Sequence, residues 1–280
     1  MKIEALDGVG AEVTDVDLDA LRDDELGTVR EAFASHGLLV FRGQSLSTEG
    51  HLRFAEAFGE INVNRFFTPH PEEGRIALVV KEADQKTNIG GGWHTDHSYD
   101  AEPALGSVLV ARELPATGGD TWFANMYAAY EGLSSGLRET LRSLRAVHST
   151  HHVFGSRSAY RAGDGDVGDR IGNARAADVM EGVVHPVVIR HPLSGRPALY
   201  VNPGFTTGIE GWSADESKML LDFLYARAVA PENVHRLRWE PGTVAFWDNR
   251  ATWHFAQNDY HGARREMHRI TVEGCALQAA

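Results

Sequence analysis

Residues 241–254 read PGTVAFWDNRATWH. Pro241-Gly242 is turn chemistry, and the apolar run from Thr243 to Asp248 behind it reads as a strand. Outward from there the same pattern recurs. Downstream, His268 to Val272 is a strand candidate. Upstream come Ala198 to Asn202, Val183 to Arg190, Thr121 to Ala124 and Ser107 to Ala111. Ser194-Gly195 and Pro115 with Gly118-Gly119 punctuate them. Helices interrupt the strands. One is expected from Tyr127 to Leu144. Another opens on a capping box at Ser213 and Glu216, runs through Leu220, Phe223 and Leu224, and ends before Pro231. Many short strands with helices at their edges suit a mixed α+β protein on a double-sheet jelly-roll core.

The N-terminal part alternates helix and strand signals. Asp23 and Asp24 are candidate caps for a helix through Leu26, Val29, Ala32 and Phe33 that ends at Gly37. Leu38 to Phe41 reads as a buried strand. Ser47 or Thr48 caps a second helix through Leu52, Phe54, Ala55 and Phe58, stopping at Gly59. Ile76 to Val80 reads as another strand. Two stretches, Asn62–Gly92 and Gly155–Ala176, read as long lid loops, the usual place for function in a compact domain. With no internal repeat, one domain over residues 1–280 is expected.

The chain carries 27 basic and 39 acidic residues in 280, a formal charge of −12. That balance argues against nucleic acid as a partner, since counterion release needs clustered Lys and Arg. No apolar stretch approaches the ~20 residues of a membrane-spanning helix. The start, MKIEALDGVG, lacks a secretory signal pattern, and the single cysteine, Cys275, forms no internal disulfide. A cytoplasmic location is the expectation.

Chemistry gathers first at Trp93-His94-Thr95-Asp96-His97. On extended backbone, positions i and i+2 point to one side, so His94 and Asp96 present a ring nitrogen and a carboxylate to one ion. With 14 histidines, about one H-x-D match is expected by composition alone. The downstream context adds weight. His254 closes the 241–254 stretch; Arg265 follows eleven positions later and Arg269 four after that. H-x-D with a distant third histidine is the sequence form of a facial triad that leaves one side of Fe(II) open for a 2-oxo acid and O2. A distal carboxylate on that acid needs a fixed cation, and Arg265 is the candidate.

On these residues the chain resembles the taurine dioxygenase (TauD/TfdA) family of Fe(II)/2-oxoglutarate-dependent dioxygenases. The carrying segments are WHTD at 93–96, GGDTWFANMYAAYEGLS at 118–134, LRAVH at 144–148, HPVVIRHPLSGRPALYVNPGFTTGI at 185–209, WDNRATWH at 247–254 and RREMHRITVEG at 264–274. The resemblance implies a double-stranded β-helix with helical insertions. It implies Fe(II) on His94, Asp96 and His254, 2-oxoglutarate on Thr121 and Arg265, and a substrate anion on Arg269, with Phe154 and Phe205 lining its pocket. A family asparagine that contacts substrate is Gly90 here, with Asn64, Phe67 and His70 as candidate substitutes in the preceding loop. The substrate implied is a small anion, a sulfonate first, then an alkyl sulfate or an aryloxy or other carboxylic acid. The products are succinate, CO2 and the hydroxylated substrate. Relatives commonly self-associate, so a homo-oligomer, dimer or tetramer, is expected. The competing class is a jelly-roll hydrolase or isomerase on zinc, which has no reason to pair Thr121 with Arg265.

Other residues read more plainly. His97 is expected to face away from Asp96. His151-His152 reads as a loop position rather than a metal pair, because neighbours diverge. His148 and His185 are expected to pack in the fold, and His268 to support it. Trp93, Trp247 and Trp253 are expected to wall the core near the ligands. Asp248-Asn249 reads as a turn or as a hydrogen-bond partner for a ligand histidine.

Overall fold

The computed structural model describes residues 1–156, 158, 170–171 and 174–280. Its strands are β1 Lys2–Ala5, β2 Ala11–Thr14, β3 Leu38–Phe41, β4 Ile61–Asn62, β5 Thr68–Pro69, β6 Ala77–Lys81, β7 Gly106–Glu113, β8 Thr121–Asn125 and β9 Arg145–His148. They continue as β10 Val183–Pro186, β11 Val188–Arg190, β12 Pro197–Leu199, β13 Thr206–Ile209, β14 Val234–Leu237, β15 Val244–Asp248, β16 Thr252–Ala256, β17 Arg265–Val272 and β18 Gln278–Ala279. The α-helices are α1 Asp23–His36, α2 Thr48–Glu56, α3 Met126–Glu131, α4 Ser135–Arg142, α5 His151–Phe154, α6 Ala174–Val179 and α7 Ala214–Ala228.

The main sheet runs β1-β2-β3-β15-β7-β17-β6-β5, with β4 also on β17. A second sheet, β14-β8-β16, packs on it. Strand alternation explains why β15 is apolar throughout. Val244 and Phe246 point to the side where Phe33 of α1 and Phe54 of α2 cover the sheet. Ala245 and Trp247 point the other way, into a buried cluster with Phe123 and Leu237 of the second sheet. The strand needs apolar residues on both faces because both are covered. This is the expected jelly roll, and the space between its sheets holds the site. Among the described residues no helix is long and apolar enough to cross a membrane.

Several local expectations change. The helix expected from Tyr127 to Leu144 is two, because Ser134 restarts the chain by accepting a hydrogen bond from Leu137 N. The cap of α1 is Arg22; Asp23 and Asp24 instead fill the first turn, where acids oppose the helix dipole. Gly37 ends α1 in the left-handed region. Ser47 does cap α2, which stops at Glu56 rather than Gly59. The run from Val183 to Arg190 breaks at Val187, whose N–H turns to Leu144 O, and its halves join different sheets. Ala198 to Asn202 contracts to β12, Pro197–Leu199. The Asn62–Gly92 stretch is not all loop, since β5 and β6 lie within it. Most of Gly155–Ala176 lies outside the described residues. The capping box at Ser213 and Glu216 opens α7 as expected.

Candidate metal and co-substrate site

Alternation on three strands aims the polar site residues inward. On β17, Arg265 and Arg269 share the face of Met267, which packs between the sheets. On β8, Thr121 shares the face of Phe123. On β16, His254 lies opposite Phe123 and so points to the same interior. The H-x-D segment then docks on β16. His94 and His254 exchange both backbone hydrogen bonds, N–H to O at 3.1 and 2.8 Å. Residues so paired carry their side chains on one face, and the two imidazole centroids lie 4.1 Å apart. Asp96, two residues on, lands beside them.

The result is one donor set. His94 Nε2 is 3.7 Å from Asp96 Oδ1, and His254 Nε2 is 3.7 Å from Asp96 Oδ2. All candidate ligand atoms lie within 4.8 Å of one another. Donors about 2 Å from a shared ion sit roughly 3 Å or more apart, so the set fits a metal bound on one side. Protonation also suits it. His94 Nδ1 donates to Gly92 O at 2.8 Å, which leaves Nε2 as a lone-pair donor. Burial holds His254 well below the usual imidazole range, so it is neutral. Burial would raise the Asp96 carboxyl, but the Arg269 guanidinium beside it outweighs that and holds the group ionised. Thr95 turns away from this donor set, and its hydroxyl donates to Asn249 O, tying the segment to the β15–β16 turn.

A cavity of about 290 Å³ opens on this set and reaches Thr121 and Arg265 at one end. Arg265 is buried, and burial pulls its pKa below the ordinary value. Its Nε has no hydrogen-bond partner, and no carboxylate lies within salt-bridge distance among the described residues. Its guanidinium stands 5.7 Å from the centre of the Trp239 ring. Trp239 Nε1 donates to Thr121 Oγ1 at 3.0 Å, so the threonine proton is available to a carboxylate beside Arg265. A buried cation and an aimed hydroxyl without an anion are what a dicarboxylic 2-oxo acid would complete. Arg269 differs. Its Nη2 is 3.2 Å from Asp96 Oδ2, and Phe67 lies under its guanidinium at 5.3 Å.

The remaining expectations sort cleanly. Phe154, Phe205 and Gly90 line the cavity, as do Asn64 and Phe67. His70 does not; its ring packs edge-on against His268 at 5.1 Å. His268 pairs with Glu266, in a supporting role as expected. His97 is buried, with Nδ1 2.8 Å from Asp100 Oδ2 and φ of 60° where the segment bends away. His148 and His185 do pack in the fold, against each other and Tyr200. His151 and His152 begin a short helix rather than a loop, and His152 reaches the cavity. Trp93 and Trp247 line the cavity, whereas Trp253 is core. Asp248 binds Arg250 and His191 rather than a ligand histidine. Missed in the sequence were Tyr260 and Lys81, which line the cavity with the Lys81 ammonium 4.2 Å over the Tyr260 ring. Lys81 lies directly opposite Arg265 in the sheet. A lysine directly after the apolar run Ile76 to Val80 was the available signal.

Fold and donor set together define a non-haem metal oxygenase, and comparison with known proteins agrees. Residues 2–271 match the family described as "Taurine catabolism dioxygenase TauD, TfdA family". The chain belongs to that family. It is an α-ketoglutarate-dependent dioxygenase, with Fe(II), 2-oxoglutarate and O2 as cofactor and co-substrates. Among its relatives, the alkylsulfatase of Acinetobacter baylyi is 33% identical over 95% of this chain and 82% of its own length. The α-ketoglutarate-dependent sulfate ester dioxygenase of Pseudomonas putida is 36% identical over 95% of this chain and 87% of its own. A taurine dioxygenase structure from Burkholderia xenovorans superposes with a TM-score of 0.82 at 31% identity, covering 99% of this chain and 92% of that one. The hydrolase or isomerase alternative is thereby set aside.

Proposed function

We propose that His94, Asp96 and His254 hold Fe(II), that Thr121 and Arg265 hold the distal carboxylate of 2-oxoglutarate, and that Arg269 receives the anionic head of a small sulfonate or sulfate ester. The observation that carries this reading is a His-Asp-His donor set sharing one cavity with Arg265, a buried cation lacking an ion pair among the described residues. Fe(II) bound there with 2-oxoglutarate and O2 supplies the oxidising power, yielding succinate, CO2 and one hydroxyl group on the substrate.

The chain's part is placement. Arg269 abuts Asp96 at 3.2 Å, so an anion held by it lies beside the metal. The carbon next to that head is then the one within reach. Hydroxylation there places an OH and the anionic leaving group on one carbon. The O–H proton departs, a C=O bond forms, and the bond to the head breaks. A sulfonate gives an aldehyde and sulfite; a sulfate ester gives an aldehyde and sulfate. Trp247, 4.8 Å from the His254 ring, walls this part of the cavity. The exposed thiol of Cys275 agrees with a reducing, cytoplasmic setting, and the exposed Trp212, Met219 and Phe223 agree with self-association into a homo-oligomer.

Sulfonates, sulfate esters and aryloxy acids screened for substrate-triggered succinate release test the reading. At least one sulfur oxyanion should trigger release, and His254→Ala should lower it by more than about 100-fold. Full activity in that variant would remove His254 from the ligand set.

A further inference from the structure

Resting on the reading that Arg265 takes the distal carboxylate of 2-oxoglutarate, we infer that Tyr260 and Asn88 are positioning residues for that co-substrate. Asn88 pins the Tyr260 hydroxyl, and the edge of the Tyr260 ring fixes the Arg265 side chain.

Arg265 needs such support. It is buried, yet among the described residues its Nε has no hydrogen-bond partner and no carboxylate stands within salt-bridge distance. An arginine side chain carries much rotamer freedom, so without a polar anchor at Nε its direction is set by packing. Binding is weaker when a recognition group must be ordered each time a ligand arrives.

Three groups supply the packing. The Trp239 ring centre lies 5.7 Å from the guanidinium. A Cβ on Gly119 would stand 3.3 Å from Arg265 Cδ and Nε and 3.3 Å from Tyr260 Cδ1. The Gly119 backbone, the arginine stem and the edge of the Tyr260 ring therefore meet at one place. Gly119 N donates to Asp259 Oδ1 at 2.7 Å, which ties that backbone to the residue before Tyr260.

Tyr260 is itself pinned. Its hydroxyl donates to Asn88 Oδ1 at 2.8 Å, and the Lys81 ammonium sits 4.2 Å from its ring centre. The Asn88 amide nitrogen donates to Ala256 O and to Gln257 O, both at 3.2 Å. Asn88 thus joins its own loop to the end of β16 and to the loop before β17. Both residues are buried and line the cavity, yet neither has a proton to give a ligand. A carboxylate offers lone pairs only; the Tyr260 proton goes to Asn88, and the Asn88 amide protons go to carbonyls. Their effect on the co-substrate therefore runs through Arg265.

The test compares two five-carbon 2-oxo acids on the Mn(II)-loaded enzyme, titrated by tryptophan fluorescence without oxygen. One is 2-oxoglutarate; the other, 2-oxopentanoate, carries a methyl group in place of the distal carboxylate. Tyr260→Phe keeps the ring and removes the pin. It should weaken 2-oxoglutarate about 5-fold and 2-oxopentanoate less than about 2-fold. Tyr260→Leu removes the ring edge as well and should raise the first loss to about 20-fold, with the second still small. Asn88→Ala should match Tyr260→Phe, and the double variant should lose no more than either alone. In an Arg265→Ala background, Tyr260→Phe should cost nothing further. Hydrogen exchange on the metal-free protein supplies a readout independent of loading: amides of residues 86–90 and 257–260 should exchange faster in both single variants, with α7 unchanged. Equal losses for the two acids, no loss for 2-oxoglutarate, a Tyr260→Phe loss that survives Arg265→Ala, or unaltered exchange would overturn the inference. Equal weakening of both acids by Arg265→Ala alone would instead sink the reading of Arg265 on which it rests.

Discussion

Arg265 and Arg269 are the same residue type, four positions apart, on one face of one strand, and they meet different surroundings. Around Arg265 the cavity is polar: Thr121 and Tyr260 line it, Trp239 lies beside the guanidinium, and among the described residues Nε has no partner and no carboxylate is in salt-bridge distance. Around Arg269 a carboxylate already waits, Asp96 at 3.2 Å, and beyond it the wall turns aromatic. Strand position makes a buried arginine available. The neighbouring strands and loops decide whether it stands without an ion pair among the described residues, as Arg265 does, or leans on a carboxylate, as Arg269 does on Asp96.

The largest expected effect breaks this comparison directly. Arg265→Ala should raise the KM for 2-oxoglutarate about 30-fold or more, with the substrate KM nearly unchanged. Arg269→Ala should do the reverse, raising the substrate KM about 10-fold or more. Steady-state kinetics with both ligands varied reads the split. Matching profiles for the two variants would erase the distinction between the ends.

A smaller effect sharpens the Arg265 end. Thr121→Val keeps the shape but removes the hydroxyl that Trp239 orients. The KM for 2-oxoglutarate should rise about 5-fold, the worth of one hydrogen bond to a charged group, and Arg265→Ala should mask it in the double variant. Full additivity of the two losses would place them on separate anions.

A separate effect, on stability rather than on binding, concerns the framework that both ends share. Burial lowers His148, at the end of β9, and His51, on the buried face of α2, to about 3 each. The unfolded chain takes up these protons near 6.5 and the folded chain only near 3. The stability of the neutral, buried state is therefore present above pH 6.5 and is lost progressively as pH falls toward 3, by about 1.4 kcal/mol per pH unit for each histidine. Thermal melts from pH 7.5 to 5 should show a falling Tm, and His51→Gln should flatten the slope. A Tm that rises on acidification would contradict the buried, neutral assignment.

Much of the site was legible because short-range rules govern it. Alternation alone set His94 with Asp96 and Arg265 with Arg269, and the Ser213 cap needed only Glu216 three residues on. The strand bearing His254 was less legible. Thr252–Ala256 mixes threonine, tryptophan and histidine because one face lines the site while Trp253 fills the core behind. Lys81 passed unnoticed because its place beside Arg265 depends on register across β6 and β17, which share no sequence neighbourhood. The aromatic cluster beside the cavity draws on segments near 66, 99, 154 and 205, each ordinary on its own.

The sequence by itself thus determined which donor-bearing side chains share a face along each strand, since backbone period acts within a few residues, and its collinear motifs carried the family resemblance that residues 2–271 bear out. Only the tertiary structure decided that His94 docks on His254, that Arg269 leans on Asp96 while Arg265 has no carboxylate in reach among the described residues, and that Phe154 and Phe205 come together beside the donor set. Those outcomes depend on pairing and burial between segments far apart in the chain, which no local pattern encodes.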